Sequence, residues 1–406
     1  MARKPEQTKS CGFGRELGRT ALADVGMAGM LQEAVYADGA ARLEAAQAKA
    51  REAGAEAKRL RQQIGELLEL RDLFRDAARA MNPPARWVVP PKEKGKPTVT
   101  VVPLFSDLQA GENTNPKHVD GWGRFNYAIL SARRREYQRR FLRWVGVQRG
   151  GYTISDCTVV ALGDMISGDL HEDLVRTNEF PPPMQVVAAA REVAGFVSAM
   201  SGSFRRVTLE WIGASNHGRI TRKPSMKAAA LMNWDYAVCE MAAALLAKHG
   251  NVTIRHHIGR SEVLNIEGWK FLASHGDTVR AWMGIPWYGI ERELSREARR
   301  HLVRMREQVR REEPVEGGFD YGLGAHWHTP FIGPSFSFIV NGSFTGSTDL
   351  DDAVGRHAGP QQVSFLVSPT HGMFSPVAWK LETEAEAALV GVDGQELLYA
   401  ERTACK

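Results

Sequence analysis

Five short polar segments of this sequence carry side chains that bind metal ions. They are 106–109 (SDLQ), 163–169 (GDMISGD), 215–219 (SNHGR), 274–277 (SHGD) and 324–328 (GAHWH). Each segment follows a stretch rich in Val, Ile, Leu or Phe, which predicts a buried strand before it. Carboxylates, amide carbonyls and imidazoles are ligands for hard and borderline metals. Five such loops predict that two metal ions are held side by side, an arrangement suited to cleaving phosphate esters.

The candidate ligands come directly after the predicted strands. Asp107 and Gln109 are two residues apart, so both can point to the same side of an extended segment and reach one ion. Asp164 follows a glycine, which permits a tight turn close to a metal. The other candidates are Asn216, His275, His326 and His328. Any one of these residues alone would more often be an ordinary polar loop residue, and it is their number and order that favour a metal site.

In their order, these segments resemble the motifs of the calcineurin-like metallophosphoesterase superfamily, D-x-H, G-D, G-N-H, a lone H and G-H-x-H. The resemblance covers roughly residues 98–382, and the surrounding text is similar to phage-encoded members. It implies that one metal is held by Asp107, Gln109, Asp164 and His328. It implies that the second is held by Asp164, Asn216, His275 and His326, with Asp164 bridging the two. His217 would then lie beside the scissile phosphate and would not be a ligand.

Three positions depart from the family pattern. Gln109 stands where the family has His, and its amide oxygen is a neutral, hard donor. We therefore expect weaker binding at that site and a preference for Mn²⁺, with Mg²⁺, Fe²⁺ and Zn²⁺ as alternatives. Ser215 and Ala325 replace glycines, which constrains the turns but removes no ligand. Arg219 replaces an acidic residue and adds positive charge near the expected phosphate.

Other residues of these loops are candidates for contact with the substrate. We predict that His217 protonates the leaving oxygen or stabilises its charge, and that Arg219 assists it. Arg219, Arg222 and Lys223 would bind a non-bridging phosphate oxygen, or alternatively lie in a solvated loop. His171 would position the substrate, although it also precedes two acidic residues that are typical of a helix start.

The spacing of apolar residues predicts the elements that position these loops. Strands are expected at 98–105, 157–162, 207–212, 252–256, 269–273, 321–325 and 335–340. Helices are expected at 124–147, 184–200, 225–248 and 291–311. Strands that alternate with helices indicate a largely parallel α/β core with its ligand loops at the carboxyl ends of the strands. Together with the resemblance, this predicts two mixed β-sheets flanked by helices.

An N-terminal extension precedes this domain. Residues 1–39 are predicted to form an arm or a small helical segment, and residues 40–82 a long helix or coiled coil. Apolar residues in the second segment follow a three-four repeat from Leu43 to Phe74. The alternatives are self-association through this helix and a helix packed on its own domain. Residues 83–97 are predicted as a linker, 98–385 as the metallophosphoesterase domain and 386–406 as a C-terminal tail.

Composition excludes several classes of protein. No apolar run is long enough to span a bilayer, and the polar N-terminus has no core of a secretory signal. The four cysteines are widely spaced and form no CxxC pair, which favours a reducing cytoplasm, that of the host if the protein is phage-encoded. A net charge of +5 is too small to indicate nucleic-acid binding by itself.

The substrate is predicted from two arginine-rich segments, 133–143 and 292–311, the first interleaved with Tyr137 and Phe141. Basic faces that carry aromatic residues suit a nucleic-acid backbone, so we expect a phosphodiesterase that acts on DNA, a nuclease. Solvated amphipathic helices, with Glu136, Glu293 and Glu297 as ion-pair partners, explain the same residues. Two alternatives remain open: a phosphomonoesterase or small or cyclic-nucleotide phosphodiesterase, and a non-catalytic DNA-binding or assembly module.

Overall fold

A computed structural model describes residues 43–44, 46–59, 61, 95–170, 172–224, 227–281, 286–355 and 357–404. These residues belong to two compact units, one before residue 69 and one after it. In the first unit the described residues are helical, and their side chains are exposed. The rest of the predicted helix at 40–82, the arm at 1–39 and nearly all of the linker lie outside the described residues. Self-association through this helix stays a prediction.

The first sheet of the second unit has six strands in the order β11-β10-β1-β2-β3-β4. Strands β1 to β4 are parallel, while β10 is antiparallel to both β1 and β11. Its strands are β1 Thr100–Phe105, β2 Asp156–Ala161, β3 Arg206–Ile212, β4 Val252–His257, β10 Gln361–Ser368 and β11 Gly372–Lys380. The sequence predicted β1 to β4 but not β10 and β11.

The second sheet has five strands in the order β5-β6-β7-β9-β8. Strands β6, β7 and β9 are parallel, and β5 and β8 pair antiparallel at the two edges. Its strands are β5 Ser261–Ile266, β6 Trp269–Ser274, β7 Tyr321–Gly324, β8 Phe331–Ile332 and β9 Phe338–Val340. Strand β9 begins later than the predicted residue 335, because a 3₁₀ turn over Pro334–Phe336 precedes it.

Eight helices are described in the second unit. They are α1 Tyr127–Gln148, α2 Glu172–Thr177, α3 Pro182–Ser201, α4 Trp234–Leu246, α5 Trp287–Arg310, α6 Asp349–Ala353, α7 Glu386–Leu389 and α8 Gly394–Ala404. Asn126 and Asn233 cap α1 and α4 by accepting a backbone N–H with the side-chain oxygen. Helix α4 therefore begins at Trp234 and not at the predicted residue 225. None of the described helices is both long and apolar enough to cross a membrane.

Two apolar cores hold the unit together. One lies between the first sheet and α1, α3 and α4, and it contains Tyr137, Phe196 and Trp211. The other lies between the two sheets, where Leu104 and Val160 of the first sheet meet residues such as Phe271 of the second. The predicted fold class, two mixed sheets flanked by helices, is thereby confirmed. In both sheets, the loops with the candidate ligands follow the carboxyl ends of parallel strands.

The arginine-rich segment 133–143 differs from its predicted role as a nucleic-acid surface. Tyr137 and Phe141 are completely buried in the core, so neither ring is open to a base. Arg133 is also buried and forms an ion pair with Glu386 at 2.8 Å. Arg134 pairs with Glu192 on α3 at 2.7 Å. Arg133 and Arg134 therefore bind α1 to its own domain, whereas Arg135, Arg139 and Arg143 are exposed.

The C-terminal residues also differ from the predicted tail. Glu386 and Leu398 are buried, and Asn126 donates a hydrogen bond to the backbone oxygen of Leu389 at 2.7 Å. Arg191 donates to the backbone oxygen of Leu398 at 2.9 Å. Residues 386–404 are therefore part of the folded unit. The partners of these residues lie far away in the chain, so the sequence of this segment alone did not indicate that it packs on the domain.

Candidate metal centre

All seven predicted metal ligands lie in loops that follow strands of the two sheets. Asp107 and Gln109 follow β1, Asp164 follows β2 and Asn216 follows β3, all in the first sheet. His275 follows β6 in the second sheet, and His326 and His328 follow β7. Because carboxyl ends of parallel strands share one edge of a sheet, this topology brings the loops together. The side-chain contacts below show that they meet.

One group of ligand atoms surrounds Asp164. The ligand atoms of Asp164, His275 and His326 all lie within 4.8 Å of one another. Nε2 of His275 is 3.0 Å from Oδ2 of Asp164 and 3.0 Å from Oδ1 of Asn216. Nδ1 of His275 is 2.8 Å from the backbone oxygen of Leu162, which can only accept a hydrogen bond. Nδ1 is thus the donor, and Nε2 faces the cluster, as in a metal-binding histidine.

A second group surrounds His328. Its Nε2 is 3.6 Å from Oδ1 of Asp107 and 3.2 Å from the amide nitrogen of Gln109. A half-turn of the Gln109 amide would place its oxygen at that position, because the two ends of an amide have nearly the same shape. Gln109 also lies 3.4 Å from Nε2 of His217, which places it between the two histidines. A carboxylate, an amide and an imidazole therefore face one point.

The residues of this site fit divalent cations. With Nδ1 as the donor of His275, Oδ1 of Asp107 and Oδ2 of Asp164 are buried and accept no hydrogen bond among the described residues, although Nε2 of His275 lies 3.0 Å from Oδ2 of Asp164. A buried carboxylate oxygen without a partner is costly, and a cation would satisfy it. Burial disfavours the charged imidazole of His275, yet Asp164 and Asp107 together raise its pKa to about 10. The negative charge that raises this pKa would also attract a cation.

The backbone of this site is strained at five of the candidate ligands. These residues have positive φ angles, which non-glycine residues rarely adopt: Asp107 (51°), Gln109 (45°), Asp164 (52°), His326 (75°) and His328 (56°). Each such residue costs on the order of 1–3 kcal/mol, and such strain is concentrated at functional sites. Backbone hydrogen bonds hold it, from Asp107 to Gly163 and from Gln109 to Asp164, both at 3.1 Å.

Gly163 has no possible replacement in the Asp164 loop. Its φ is +90°, and a Cβ atom there would lie 2.8 Å from Cβ of Ser215 and 3.2 Å from Nδ1 of His275. Any side chain would push apart two loops that carry ligands. The tight turn predicted before Asp164 is therefore required by two neighbouring loops as well as by the backbone.

His217 lies next to both groups of ligands. Its backbone N–H donates to Oδ1 of Asp164 at 2.9 Å, and its Nδ1 donates to the backbone oxygen of Ser167 at 2.8 Å. Nε2 is thus left facing Gln109 and the centre of the site. The Ser167 hydroxyl in turn donates to the buried carboxylate of Glu112 at 3.0 Å. Sequence reasoning missed Glu112 and Ser167, because neither has a strand-end position or a spacing that distinguishes it.

Asp235 supports the same loops from behind. It accepts hydrogen bonds from the Ser215 hydroxyl at 2.8 Å and from the Met165 backbone at 3.2 Å. Burial, together with the charge of Asp164, raises the pKa of Asp235 to about 7. Asp235 therefore joins the loops after β2 and β3 through α4. Asp235 lies in the first turn of α4. An acidic residue at that position indicates a helix start and not a metal site.

The predicted substrate-binding residues are not all brought to the cluster. Arg219 pairs through its backbone with Asn233, and its side chain lines a small cavity with Arg260 and Met232. Arg222 and Lys223 are exposed on the following loop. Their roles, and that of Arg219, stay predictions. His171 lies outside the described residues.

Asp351 is a further residue that sequence reasoning missed. Its carboxylate lies 3.2 Å from Nδ1 of His328, so it directs the opposite nitrogen towards Asp107 and Gln109. It also accepts a hydrogen bond from the Thr348 hydroxyl at 2.9 Å and caps α6. The capping pattern was the only signal in the sequence, and it indicates a helix start.

We expect Asp351→Asn to weaken metal binding at the His328 group by about 10- to 100-fold, as is typical when a ligating histidine loses its carboxylate partner. The metal at the Asp164 group should stay bound. Calorimetric titration of the metal-free protein with Mn²⁺ measures both affinities. Asp352→Asn on the same helix is the matched control, because Asp352 contacts His357 and not His328. Equal affinities in the two variants would contradict the role of Asp351.

Comparisons with known proteins find no matching protein-family model and no matching curated protein. Similar solved structures include Vps29 complexed with Zn²⁺ from Entamoeba histolytica, at 12% identity and a TM-score of 0.25, covering 70% of this chain and 99% of that one. A predicted phosphoesterase from Streptococcus pneumoniae has 9% identity and a TM-score of 0.25, and the match covers 70% of this chain and 98% of that one. The sulfate thiohydrolase SoxB of Thermus thermophilus has 10% identity and a TM-score of 0.29, and the match covers 78% of this chain and 62% of that one. Identities this low transfer no activity to this chain.

Proposed function

We propose that this chain is a metal-dependent phosphoesterase, a hydrolase of the calcineurin-like metallophosphoesterase type with two divalent metal ions. The carrying observation is that seven candidate ligands from five loops lie around two buried carboxylate oxygens, Oδ1 of Asp107 and Oδ2 of Asp164, whose neighbours are imidazole nitrogens of His328 and His275. One ion would be held by Asp107, Gln109, Asp164 and His328. The other would be held by Asp164, Asn216, His275 and His326. Mn²⁺ is the preferred ion in this proposal, because Gln109 adds a hard oxygen donor.

The reaction divides between the ions and the protein. When bound, two divalent ions supply Lewis acidity to the phosphate and lower the pKa of coordinated water. His217 supplies the proton for the leaving oxygen from Nε2, since Nδ1 is held by the backbone oxygen of Ser167. Asp164 keeps His217 in place by accepting its backbone N–H. The proposed acid thus has a fixed orientation.

A nucleic acid is the proposed substrate, and helix α5 supports it. This helix exposes seven arginines on the unit that carries the metal centre: Arg292, Arg296, Arg299, Arg300, Arg304, Arg306 and Arg310. Only two of them have a carboxylate partner on the helix among the described residues, Arg296 with Glu293 and Arg300 with Glu297. A row of exposed arginines is suited to phosphates along a strand. Segment 133–143, by contrast, exposes three arginines, and its two aromatic residues are buried.

We expect Arg299→Gln combined with Arg306→Gln to weaken binding of single-stranded DNA. The slope of log affinity against log salt should become shallower by about 0.7 per lost phosphate contact, or about 1.4 for the pair. Fluorescence anisotropy over a range of NaCl concentrations measures this slope. The matched control is Arg139→Gln with Arg143→Gln, two exposed arginines of α1. An unchanged slope in the α5 variant would exclude this helix as a contact.

A panel of metals and substrates tests the proposed function itself. Mn²⁺, Mg²⁺, Zn²⁺, Ni²⁺ and Fe²⁺ are each combined with DNA, RNA, cyclic nucleotides and p-nitrophenyl phosphate, and metal content is measured in parallel. The proposal expects cleavage of a nucleic acid with Mn²⁺. Preference for p-nitrophenyl phosphate or a cyclic nucleotide would replace the nuclease with one of the alternative phosphoesterases. No turnover with any combination would favour a non-catalytic binding module.

A further inference from the structure

Two aromatic side chains form an exposed stack on the surface of the second unit. The indole of Trp122 is stacked on the imidazole of His357, with ring centroids 4.9 Å apart and ring planes at 29°. Trp122 is 65% exposed, more than any other described tryptophan. We name the pair Trp122 and His357 the aromatic platform. Its exposed face is apolar and rich in π electrons, and no core packing accounts for it.

The backbone that carries the platform is closely held. Gly123 lies against the segment before α6, and a Cβ atom there would overlap the Ser347 backbone oxygen. The backbone N–H of Trp122 donates to the backbone oxygen of Val119 at 2.8 Å. Thr114 and Phe125 close the loop with paired backbone hydrogen bonds of 3.0 and 3.1 Å. The indole is therefore presented by a constrained loop, which lowers the entropy lost when a ring stacks on it.

Helix α6 joins the platform to the metal centre. Asp352 on this helix is 3.8 Å from Nε2 of His357. The preceding residue, Asp351, is 3.2 Å from Nδ1 of the proposed ligand His328. Since adjacent helical residues rise by only about 1.5 Å, one short helix supports both groups. The residues that contact the two groups, Asp351 and Asp352, are therefore adjacent in the chain.

We propose that the aromatic platform stacks on an unpaired base of a single-stranded nucleic acid whose phosphodiester lies at the metal centre. This inference rests on the proposed phosphoesterase function and specifies the substrate class of the same site. Stacking on an aromatic side chain tolerates any base, because every base has a π face. A phosphomonoester without a base gains nothing from such a surface. The platform thus selects strands with accessible bases over small phosphate esters.

Two fluorescent oligonucleotides test this proposal, one carrying bases and one with the same backbone and consecutive abasic sites. Binding is measured by anisotropy with the metals chelated, so that no strand is cut. We expect Trp122→Leu to weaken binding of the base-carrying strand by about 5- to 160-fold, the range for loss of one stacked base. Trp122→Phe, which keeps a ring, should lose less. Val147→Ala, an exposed apolar residue at the end of α1, is the control and should bind like the unsubstituted protein.

The abasic strand makes the outcome specific. The unsubstituted protein should bind it more weakly than the base-carrying strand, and Trp122→Leu should remove that difference. An equal loss for both strands, or no binding of either strand by the unsubstituted protein, would overturn the platform. Hydrolysis of a phosphoester by the Mn²⁺-loaded protein is assayed separately. Hydrolysis without a Trp122 effect rejects the platform alone, whereas absence of all hydrolysis rejects the proposed function.

Discussion

Asp164→Asn is expected to lower turnover of a phosphodiester by about 1,000-fold or more and to leave fewer than two metals bound per chain. Asp164 is the residue common to both proposed ligand sets, and its carboxylate faces His275 at 3.0 Å. Its other oxygen holds the His217 backbone at 2.9 Å. Losing the contribution of a metal, several kcal/mol of transition-state stabilisation, corresponds to about a factor of ten for each 1.36 kcal/mol. Turnover with Mn²⁺ and metal content by mass spectrometry measure the two effects.

The control for this variant is Asp156→Asn. Asp156 begins β2, the strand that Asp164 follows, and it is bound by Arg205 and Arg206 at the opposite end of the sheet. The same chemical change there should leave turnover and metal content within about two-fold, as is usual for a surface change. Thermal unfolding of both variants establishes that each is folded. Full activity of a folded Asp164→Asn protein would exclude the bridging role.

His217→Ala is expected to lower kcat by about 100- to 10,000-fold, the range for loss of a positioned general acid. Unlike Asp164→Asn, it should retain both metals, because the imidazole of His217 is not a proposed ligand. The loss should depend on the leaving group. A p-nitrophenolate departs without a proton, so a p-nitrophenyl phosphodiester should lose much less than an oligonucleotide.

The comparison between leaving groups separates acid catalysis from damage to the site. An equal loss for the two substrates would indicate that His217 stabilises the phosphate and does not donate a proton. Loss of metal would show that the imidazole has a structural role beside Gln109, from which it lies 3.4 Å. His217→Asn, which keeps a polar side chain but cannot act as a general acid, should resemble His217→Ala with the oligonucleotide.

The convergence of the ligand loops was predictable from the sequence. Apolar stretches before Asp107, Asp164 and Asn216 became neighbouring parallel strands, and parallel strands necessarily present their loops at one edge. The same holds for His275 and His326 in the second sheet. These positions are determined by local patterning, which a single sequence displays. The α/β class followed from the same pattern, and the arrangement as two mixed sheets followed from the family resemblance.

The residues that support the site were not predictable in this way. Glu112 and Asp351 contact the site through partners that are distant in the chain, Glu112 through Ser167 and Asp351 through His328. No periodicity or spacing records such contacts. The same limit explains Arg133, whose place in a basic run indicated a surface although its partner Glu386 lies 253 residues away. Antiparallel β10 and β11 were missed because they have no helix between them.

The strain at the ligands was also invisible in the sequence. Asp107, Asp164 and His328 each have a positive φ in the structure. Nothing in their residue types requires this backbone conformation. A sequence identifies such positions only when glycine occupies them, as at Gly163. The strain is an independent observation in favour of the proposed site, because it occurs at the residues chosen for their chemistry.

Anomalous diffraction from crystals grown with Mn²⁺ tests the central claim most directly. Two anomalous peaks are expected, one contacting Asp107, Gln109 and His328, and the other contacting Asn216, His275 and His326. Asp164 should contact both. A single peak, or peaks that do not contact Asp164, would contradict a dinuclear centre in these five loops.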